Sequence, residues 1–379
     1  MKVAIVCDWY LPRIGGLELH IRDLARELNA RGHEAHLVTS TPADQAAQFI
    51  GMSHRAREAD AFPVHRLDVR LIPGLNIVGP GAVAPLESLL RAEKFDVIHS
   101  HTLLSSLAHA GSYVARKLGL PSVMTEHSVL RGFGVRALRA IDRVKRWSVW
   151  PTLMTAVSSY VADDVRAASG RAECLVLPNG IDLTEWDASR SRPEELRVVS
   201  VMRMTKRKRP VDIVRAARRV IDRLGNLPQQ QLPKFMIVGD GPEKQPAARE
   251  IERLALGAHV ELTGWQERPY VRDLMARSAI FVLPTLKEAL SIASLQALAS
   301  GLPVVAMSHG GVGDIIRHGR EGFLAATPEE FADCILRLVT DAPLRDEMRK
   351  NARETLQAFT WDRVIERHLD CYRLAASRI

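Results

Sequence analysis

The segment EALSIASLQALASG, from Glu288 to Gly301, places a carboxylate just before a predicted helix. The helix is predicted to begin near Ser291, so its first backbone amides have no partner within the helix and suit a phosphate. Glu288 is then placed to accept hydrogen bonds from the hydroxyl groups of a sugar ring. Gln296, two turns into the helix, either bonds a ribose or is an ordinary surface glutamine.

A basic turn earlier in the chain offers positive charge for such a ligand. Arg203 ends a predicted strand, and Lys208 follows in the sequence RMTKRKRP. Two cations at a strand end fit a diphosphate, whose charge must be stabilised when it leaves. The four consecutive cations at 206–209 are also typical of a solvated turn. The nearby VGDGPE predicts a tight strand-to-helix turn but lacks the GxGxxG spacing of a dinucleotide site.

Two further candidates lie in the first half of the chain. Gly15 and Gly16 precede a predicted helix, where the missing Cβ atoms and the free helix N-terminus suit a phosphate. An ordinary Gly-Gly turn is the alternative. His127 follows the strand LPSVMTEH, and it either contacts a sugar hydroxyl or is a satisfied loop residue.

The elements that must position these residues alternate between strand and helix. Short apolar runs predict strands, and apolar residues at helical spacing predict the helices between them. In the first half the predicted strands are VAIVCD, EAHLVTS, FDVIHSH, LPSVMTEH and MTAVS. After PNGID and a polar stretch, ASRSRPEEL, the predicted strands are LRVVSVMR, KFMIVG, HVELTG, AIFVLP and PVVAM. Alternation of this kind predicts parallel sheets that bind ligands at the carboxyl ends of their strands.

We therefore predict an α/β protein with two Rossmann-like domains that face a cleft. The first domain is predicted at 1–185 and the second at 186–358. The amphipathic stretch 359–379 is predicted to be a helix that crosses back to the first domain.

The composition limits the classes of protein that fit. A chain of 379 residues with 46% hydrophobic and 25% charged residues is typical of a globular protein of two domains. Four widely spaced cysteines fit neither a disulfide framework nor a zinc site, so we expect a reducing cytoplasm. The net charge of +8 favours an anionic partner. We expect no nucleic acid as partner, because the chain shows no nucleic-acid module and only 5% aromatic residues.

The motifs, taken in order, resemble those of the family-4 retaining glycosyltransferases of the GT-B fold, over nearly the whole chain. They are the GG loop, HSH, TEHS, PNGID, R-x4-K at 203–208, GDGP at 239–242, ExxxxxxxQ at 288–296, HGGVGDII at 309–316 and the terminal helix with its tryptophan. Each is weak alone, and the set in this order is specific. HSHTLLSSLAHA together with TEHSVLRGF is further similar to the branch that transfers N-acetylglucosamine to phosphatidylinositol.

This resemblance implies a retaining transfer of a hexose or N-acetylhexosamine from a nucleotide-diphosphate sugar, preferably UDP, to a hydroxyl acceptor. Such enzymes have no agreed protein nucleophile, and the departing phosphate is thought to help deprotonate the acceptor. The chain has no DxD sequence, in agreement with a metal-independent enzyme. We expect neither a metal nor a cofactor.

The resemblance also implies that the first domain, 1–185, binds the acceptor and that the second, 186–358, binds the nucleotide sugar. It further implies roles for individual residues. His127 would contact the donor sugar, Glu288 would bind its hydroxyls, and Arg203 and Lys208 would hold the diphosphate, with Arg209 as a substitute for Lys208. Gly16 and the amides of Leu290 and Ser291 would meet phosphate. The complete predicted donor-binding set beyond the four catalytic residues is Gly15, Gly16, Arg209, Gly239, Gly241, Gly264, Trp265, Ala289, Leu290, Ser291 and Gln296.

The chain departs from the family pattern at several positions. The family usually has Glu where Gln296 stands, commonly has Gly at Ala289 and Ser291, and often has Glu at Asp314. A carboxylate accepts hydrogen bonds from both ribose hydroxyls, whereas an amide accepts one and donates the other. The loss is on the order of 1 kcal/mol, less than tenfold in affinity. We therefore expect Gln296 to tune nucleotide binding rather than abolish transfer.

The acceptor is less clearly encoded. An inositol phosphate, a lipid-linked acceptor or an aminosugar suits a basic site, and we expect loops within 41–80 to select among them. Residues 131–150 carry six cations, one anion and two tryptophans. As a helix they would lie on the inner face of an anionic membrane. Alternatively they form an acceptor-side helix whose Trp147 and Trp150 are core residues.

Two other functions fit the same architecture. One is a UDP-sugar epimerase, which needs additional titrating carboxylates that the sequence does not clearly place. The other is a non-catalytic subunit that binds a nucleotide sugar, for which Gln296 is the one direct indication.

Overall fold

The computed structural model describes residues 1–11, 15–40, 61–69, 71–72, 77–78, 80–187, 196–225, 228 and 232–379. It divides into two compact units. The first unit comprises Met1–Gly180 together with Trp361–Ile379, and the second comprises Ile181–Thr360. The sequence placed the corresponding divisions at 185/186 and 358/359. Much of the predicted acceptor loop region, including 41–60, and most of the polar linker lie outside the described residues.

The first unit is built on a sheet of seven parallel strands. Along the chain its strands are β1 (Lys2–Cys7), β2 (Glu34–Thr39), β3 (Val64–Arg66), β6 (Val97–His101), β7 (Ser122–Glu126), β8 (Leu153–Ala156) and β9 (Leu175–Val176). The spatial order is β3-β2-β1-β6-β7-β8-β9, and a separate antiparallel pair is formed by β4 (Leu71–Ile72) and β5 (Ile77–Val78). The order reverses between β1 and β6, so ligands are expected at the carboxyl ends of these two strands.

Helices cover this sheet, and their apolar stripes pack with the strands to form the core of the unit. They are α1 (Gly16–Ala30), α2 (Val83–Glu93), α3 (Ser106–Leu118), α4 (Phe133–Lys145), α5 (Ser159–Ser169) and, from the end of the chain, α12 (Trp361–Ala376). Ser105 and Ser158 cap α3 and α5 by accepting a backbone N–H. In α1, the fully buried Ile21, Leu24 and Leu28 recur at the helical spacing predicted from the sequence.

The C-terminal helix α12 is part of the first unit, as the fold prediction stated. Its Trp361, Val364 and Tyr372 join the same apolar cluster as residues of β1 and α1. Trp361 lies so close to Gly180 that a Cβ on that glycine would come within 2.5 Å of the indole ring. A side chain at position 180 would therefore displace the start of the helix.

The second unit is a sheet of six parallel strands in the order β12-β11-β10-β13-β14-β15. Its strands are β10 (Arg197–Val201), β11 (Lys234–Val238), β12 (Val260–Gly264), β13 (Ile280–Leu283), β14 (Val304–Met307) and β15 (Gly322–Ala325). Its helices are α6 (Pro210–Leu224), α7 (Lys244–Arg253), α8 (Arg268–Ala276), α9 (Ile292–Ala299), α10 (Pro328–Thr340) and α11 (Ala342–Leu356). The strand order reverses between β10 and β13, which makes their carboxyl ends the expected ligand site.

Two doubly wound parallel sheets confirm the predicted fold class. Among the described residues, no helix has both the length and the apolar character required to cross a bilayer. The four cysteines are all free thiols.

Candidate functional site

An ion pair between Lys208 and Glu288 joins the carboxyl ends of β10 and β13. Lys208 ends a short 3-10 turn, Lys206–Lys208, that follows β10, and Glu288 lies in the loop after β13. Glu288 is only 8% exposed, so the pair interacts more strongly than it would in water. The structure therefore brings together two of the four predicted catalytic residues at the switch point of the second sheet.

The backbone of Glu288 is fixed by the segment His309–Gly311. The N–H of Lys287 donates to the carbonyl of His309 at 3.0 Å, and the N–H of Gly311 donates to the carbonyl of Glu288 at 2.8 Å. Gly310 has φ 141°, and a Cβ there would lie 2.6 Å from the Glu288 oxygen. Glycine is therefore required at this contact, which explains the HGG part of the HGGVGDII motif.

The N-terminus of α9 has the features expected of a phosphate site. Ser291 is its N-cap and accepts the N–H of Ser294 at 3.1 Å. Among the described residues, the backbone amides of Leu290 and Ser291 donate to no acceptor. The side chains of Ala289 and Leu290 are buried, so these two residues can meet a ligand only through their backbone.

Gln296 lies further along α9 and is half-buried. Its side-chain amide has no hydrogen-bond partner in the part of the chain that the structure describes. It is therefore available to a ligand, which is compatible with the predicted contact to ribose.

Arg203 is presented by a loop that packs tightly on the GDGP turn. Gly239 and Gly241 have φ of 130° and 149°, and Cβ atoms there would lie 1.8 and 2.4 Å from the carbonyls of Met202 and Met204. These glycines allow the exposed Arg203 to follow β10 in a defined backbone conformation. The structure thus gives both glycines a positioning role, and donor contact remains a prediction for them.

The remaining predicted donor residues of the second unit lie close to these elements. Gly264 ends β12 with φ 73° and accepts the N–H of Gly239 at 2.8 Å, and the half-buried Trp265 follows it. Arg209 is the N-cap of α6 and pairs with Asp212. That pairing gives Arg209 a structural role, whereas its predicted role as a substitute for Lys208 has no contact to support it.

In the first unit, the half-buried His127 contacts a cluster of buried histidines. Its Nε2 lies 2.9 Å from Nδ1 of His101, and its ring centroid lies 5.4 Å from that of His20. His99 packs against His101, with tilted rings whose centroids are 4.2 Å apart, and is bonded to the Tyr372 hydroxyl at 2.9 Å. The HSH motif of β6 therefore lies behind His127, a relationship that the sequence alone did not show.

Burial keeps this cluster uncharged. It lowers the pKa of His127, His101, His99 and His20 well below the ordinary value. The imidazole of His127 is therefore neutral at pH 7, with one nitrogen donating and one accepting. A neutral ring is suited to bonding a sugar hydroxyl rather than to neutralising a phosphate.

The carboxyl group of Glu126, one residue before His127, is also held in this region. It accepts the N–H of Leu103 at 2.7 Å and the N–H of Ser128 at 2.6 Å. Complete burial raises its pKa to about 7, while these backbone bonds act in the opposite direction. Glu126 therefore connects the loops that follow β6 and β7 through these hydrogen bonds. In the sequence, only its position beside His127 in TEH indicated that it belongs to this region.

The predicted glycine turn does precede a helix, as expected. Gly15 is the N-cap of α1 and Gly16 is its exposed first residue. The carboxylate of Glu18 lies over Gly15, where a Cβ would come within 2.4 Å of its oxygen. Glu18 is buried, so an acidic group occupies the space next to the predicted phosphate contact, which sequence reasoning did not anticipate.

Comparisons with known proteins agree with these two halves. The family model of Glycosyltransferase Family 4 matches residues 14–185, and that of glycosyl transferases group 1 matches residues 184–355. The phosphatidylinositol N-acetylglucosaminyltransferase gpi3 subunit of Schizosaccharomyces pombe is 25% identical over 373 residues, covering 96% of this chain and 78% of that protein. The D-inositol 3-phosphate glycosyltransferase of Jonesia denitrificans is 25% identical over 423 residues, covering 99% of this chain and 97% of that protein.

A solved structure shows the same fold. Anabaena HepE in complex with UDP-glucose superimposes with a TM-score of 0.75 at 20% identity, covering 98% of both chains. The two family models together span residues 14–355. The chain belongs to the GT-B glycosyltransferases that combine these two halves, enzymes that act on nucleotide sugars.

Proposed function

We propose that this enzyme is a retaining, metal-independent transferase that moves a hexose or N-acetylhexosamine from a UDP-sugar to a hydroxyl of an inositol-containing acceptor. The ion pair of Lys208 and Glu288 at the switch point of the second sheet carries the proposal. The acceptor class rests on two relatives whose names specify phosphatidylinositol and D-inositol 3-phosphate. UDP is favoured because HepE, which has the same fold, was solved with UDP-glucose.

In the proposed reaction, the bond from the anomeric carbon to the diphosphate oxygen breaks as the acceptor oxygen bonds to the same face of that carbon. The diphosphate leaves with the bonding electron pair, and the acceptor proton passes to a phosphate oxygen. Lys208 and Arg203 stabilise the charge that develops on the leaving group. Glu288 orients the sugar hydroxyls, and contact of the neutral His127 with the donor sugar stays a prediction.

Without a donor, the ammonium of Lys208 has only Glu288 as its partner among the described residues of the second unit. A bound diphosphate supplies a second anion to the same ammonium. The donor then joins both residues in one network, with its phosphate on Lys208 and its hydroxyls on Glu288. Transfer and donor affinity should consequently both depend on the two side chains.

A matched pair of lysine variants tests this role. Lys206 lies in the same 3-10 turn as Lys208 but is exposed. We expect Lys208→Met to lower kcat/KM for transfer from UDP-N-acetylglucosamine or UDP-glucose to an inositol phosphate by at least about 100-fold. Lys206→Met should change it less than about threefold. Equal losses in both variants would show that only the basic character of the turn matters.

Two measurements in the same assay address the finer parts of the proposal. Product NMR should show the anomeric configuration of the donor, and excess chelator should leave the rate unchanged. Inversion of configuration would refute the retaining mechanism. Loss of activity with chelator, restored by a divalent metal, would refute metal independence.

Epimerisation of the UDP-sugar is the second candidate, and Glu126 is the observation that favours it. Its pKa of about 7 suits a group that exchanges protons. Both carboxylate oxygens are, however, engaged by backbone N–H groups, which assigns the side chain to loop positioning. An epimeric UDP-sugar formed without acceptor would favour the epimerase; an unchanged donor together with transferred sugar supports the transferase.

We further propose that helix α4 and its flanks, residues 131–150, contact an anionic membrane. Trp147 and Trp150 are buried, so they are core residues and take no part in this contact. The most exposed apolar side chains are Phe133 at 80% and Val144 at 85%, and Val149 and Ile141 are exposed as well. The exposed cations around them complement anionic lipid.

Vesicle sedimentation tests this surface. The protein should pellet with vesicles containing phosphatidylserine, less so at high salt, and the double variant Phe133→Ser, Val144→Ser should remain in the supernatant. Tyr270 is an exposed aromatic side chain of the second unit, at 41%, so Tyr270→Ser provides a control that should still pellet. Pelleting that is independent of Phe133 and Val144 would remove this surface from the proposal.

A further inference from the structure

A second cluster of ligand-type side chains lies on elements that take no part in the proposed donor site. It consists of His36 on β2, His65 on β3 and Glu93 at the end of α2. Nδ1 of His36 lies 3.0 Å from Nε2 of His65 and 3.8 Å from a carboxylate oxygen of Glu93. Within the described residues, the three ligand atoms are all within 4.8 Å of one another.

This spacing is close to the spacing that a tetrahedral metal requires. Zinc bonds to nitrogen and oxygen are about 2.0–2.2 Å long, so two ligands of a tetrahedral ion lie roughly 3.4 Å apart. The distances of 3.0 and 3.8 Å lie on either side of that value. One ion between the three atoms would therefore need only small side-chain shifts.

A carboxylate behind His36 fixes the ring in the orientation that a metal ligand needs. Nε2 of His36 lies 2.9 Å from a carboxylate oxygen of Glu34. An ionised carboxylate can only accept, so the hydrogen is on Nε2 and the lone pair of His36 is on Nδ1, facing His65 and Glu93. A carboxylate bonded to the far nitrogen of a ligating histidine is the usual support in zinc sites.

The surroundings hold both rings in place. His36 is buried and meets Phe95 edge to face at a centroid distance of 5.3 Å, while the rings of His36 and His65 are stacked at 5.2 Å. Such locked rings reduce the entropy lost on metal binding. The two imidazoles already share a hydrogen in the position that a metal ion would take.

We propose that His36, His65 and Glu93 form a binding site for one divalent transition-metal ion of the Zn²⁺ class, with Glu34 as the supporting carboxylate and water as the fourth ligand. Two imidazoles and one carboxylate are a ligand set that suits zinc rather than magnesium or calcium. The ion would fasten the three-residue strand β3 to β2 and to the end of α2.

Lys2 makes a specific competitor for this ion. Its ammonium lies 2.8 Å from Glu93 and 2.9 Å from Glu34. A metal ion must share Glu93 with that ammonium, so removing the lysine charge should tighten metal binding. If the cluster serves only as a set of ion pairs, Lys2→Met breaks two of them and does not raise the affinity for the metal ion.

Calorimetric titration of the chelator-treated full chain with Zn²⁺ tests the site. We expect one saturable equivalent, with a raised melting temperature of the protein. His65→Ala should lose that equivalent, Glu34→Gln should weaken it about 10- to 100-fold, and Lys2→Met should strengthen it. Co²⁺ in place of Zn²⁺ should give the visible absorption of a four-coordinate nitrogen and oxygen site.

The control is His33→Ala, which removes a neighbouring imidazole outside the cluster and should keep full binding. Glu93→Gln retains both rings and serves as the second ligand variant if His65→Ala does not fold, which circular dichroism reveals. Absence of a saturable equivalent overturns the proposal, as does equal binding by the His65→Ala and His33→Ala proteins. None of these outcomes depends on the transferase activity.

Discussion

Ser291 adopts a backbone conformation that most side chains avoid. Its φ of 81° and ψ of 86° lie on the left-handed side of the map, where a residue with a Cβ costs about 1–2 kcal/mol. The family commonly has glycine at this position, and the observed conformation gives the physical reason. The serine hydroxyl recovers part of that cost by capping the N–H of Ser294.

Two substitutions at this position separate strain from capping. Ser291→Ala keeps the strain and loses the cap, so we expect it to destabilise the fold by about 1 kcal/mol. Ser291→Gly loses the cap at little cost and relieves the strain, so it should be at least about 1 kcal/mol more stable than the alanine variant. Urea unfolding of the two variants measures the difference, and equal midpoints would show that the conformation carries no strain.

Gln296 provides the second residue-scale prediction. If its free amide holds the ribose, UDP should raise the melting temperature of the natural protein. Gln296→Glu should then raise the affinity for UDP by less than tenfold. Thermal shift with UDP, GDP and ADP checks both statements and identifies the base. Stabilisation by a nucleotide only in the glutamate variant would instead favour a non-catalytic binding subunit.

At the scale of elements, the buried histidines of the first unit predict acid lability. Burial lowers the pKa of His109 and His368 to about 4, so the unfolded chain binds protons between pH 6.5 and 4 that the folded chain excludes. Stability present above pH 6.5 is therefore lost as the pH falls. Each such histidine lowers the free energy of unfolding by up to about 1.4 kcal/mol for each pH unit of acidification in this range.

The pH dependence of the urea midpoint between pH 7.5 and 5 measures this effect. His368→Gln removes one proton-excluding group, so its midpoint should fall less steeply with acid than that of the natural protein. His259→Gln changes a residue of the second unit and leaves the buried histidines of the first unit in place. The pH slope of its urea midpoint should therefore match that of the natural protein. A slope unchanged by His368→Gln would contradict the assignment.

The elements themselves were largely predictable, because strands and helices follow from local patterns. The strands carrying the site were predicted with small boundary errors, since each is a short apolar run followed by a turn. Strand β3, Val64–Arg66, was missed because only three half-buried residues form it and its position depends on pairing with β2. Helices α2, α10 and α11 were also not predicted individually, although they leave the fold class unchanged.

The contacts within the site were beyond local reasoning. Lys208 and Glu288 are 80 residues apart, and His101 and His127 are 26 residues apart. The motifs indicated that these residues matter, but nothing local indicates that they touch. Only the parallel arrangement of β10 beside β13, and of β6 beside β7, brings them together.

At the scale of the whole molecule, the two units should differ in their ability to fold alone. The second unit is continuous from Ile181 to Thr360, whereas the first needs Trp361–Ile379. Each large side chain of α12 in the core contributes about 1.5–3 kcal/mol, and Trp361, Val364, Ile365 and Tyr372 together approach the stability of an entire domain.

Fragments of the chain test this difference. We expect residues 181–360 to melt cooperatively and to bind UDP, and residues 1–180 to lack a cooperative transition. A peptide of residues 361–379 added to the 1–180 fragment should restore that transition. Calorimetry and circular dichroism provide the readouts, and a stable 1–180 fragment without the peptide would contradict the expectation.

The return of α12 to the first unit also orders events on the ribosome. The indole of Trp361 and the hydroxyl of Tyr372, which bonds His99, leave the exit tunnel only after the entire second unit has been translated. At 5–20 residues per second, synthesis of 181–360 takes roughly 10–40 s. Throughout that interval we expect the nascent first unit to expose the apolar surface that α12 later covers, and to offer chaperones a binding site there. Although its residues emerge first, we therefore expect the N-terminal half to be the last to become native.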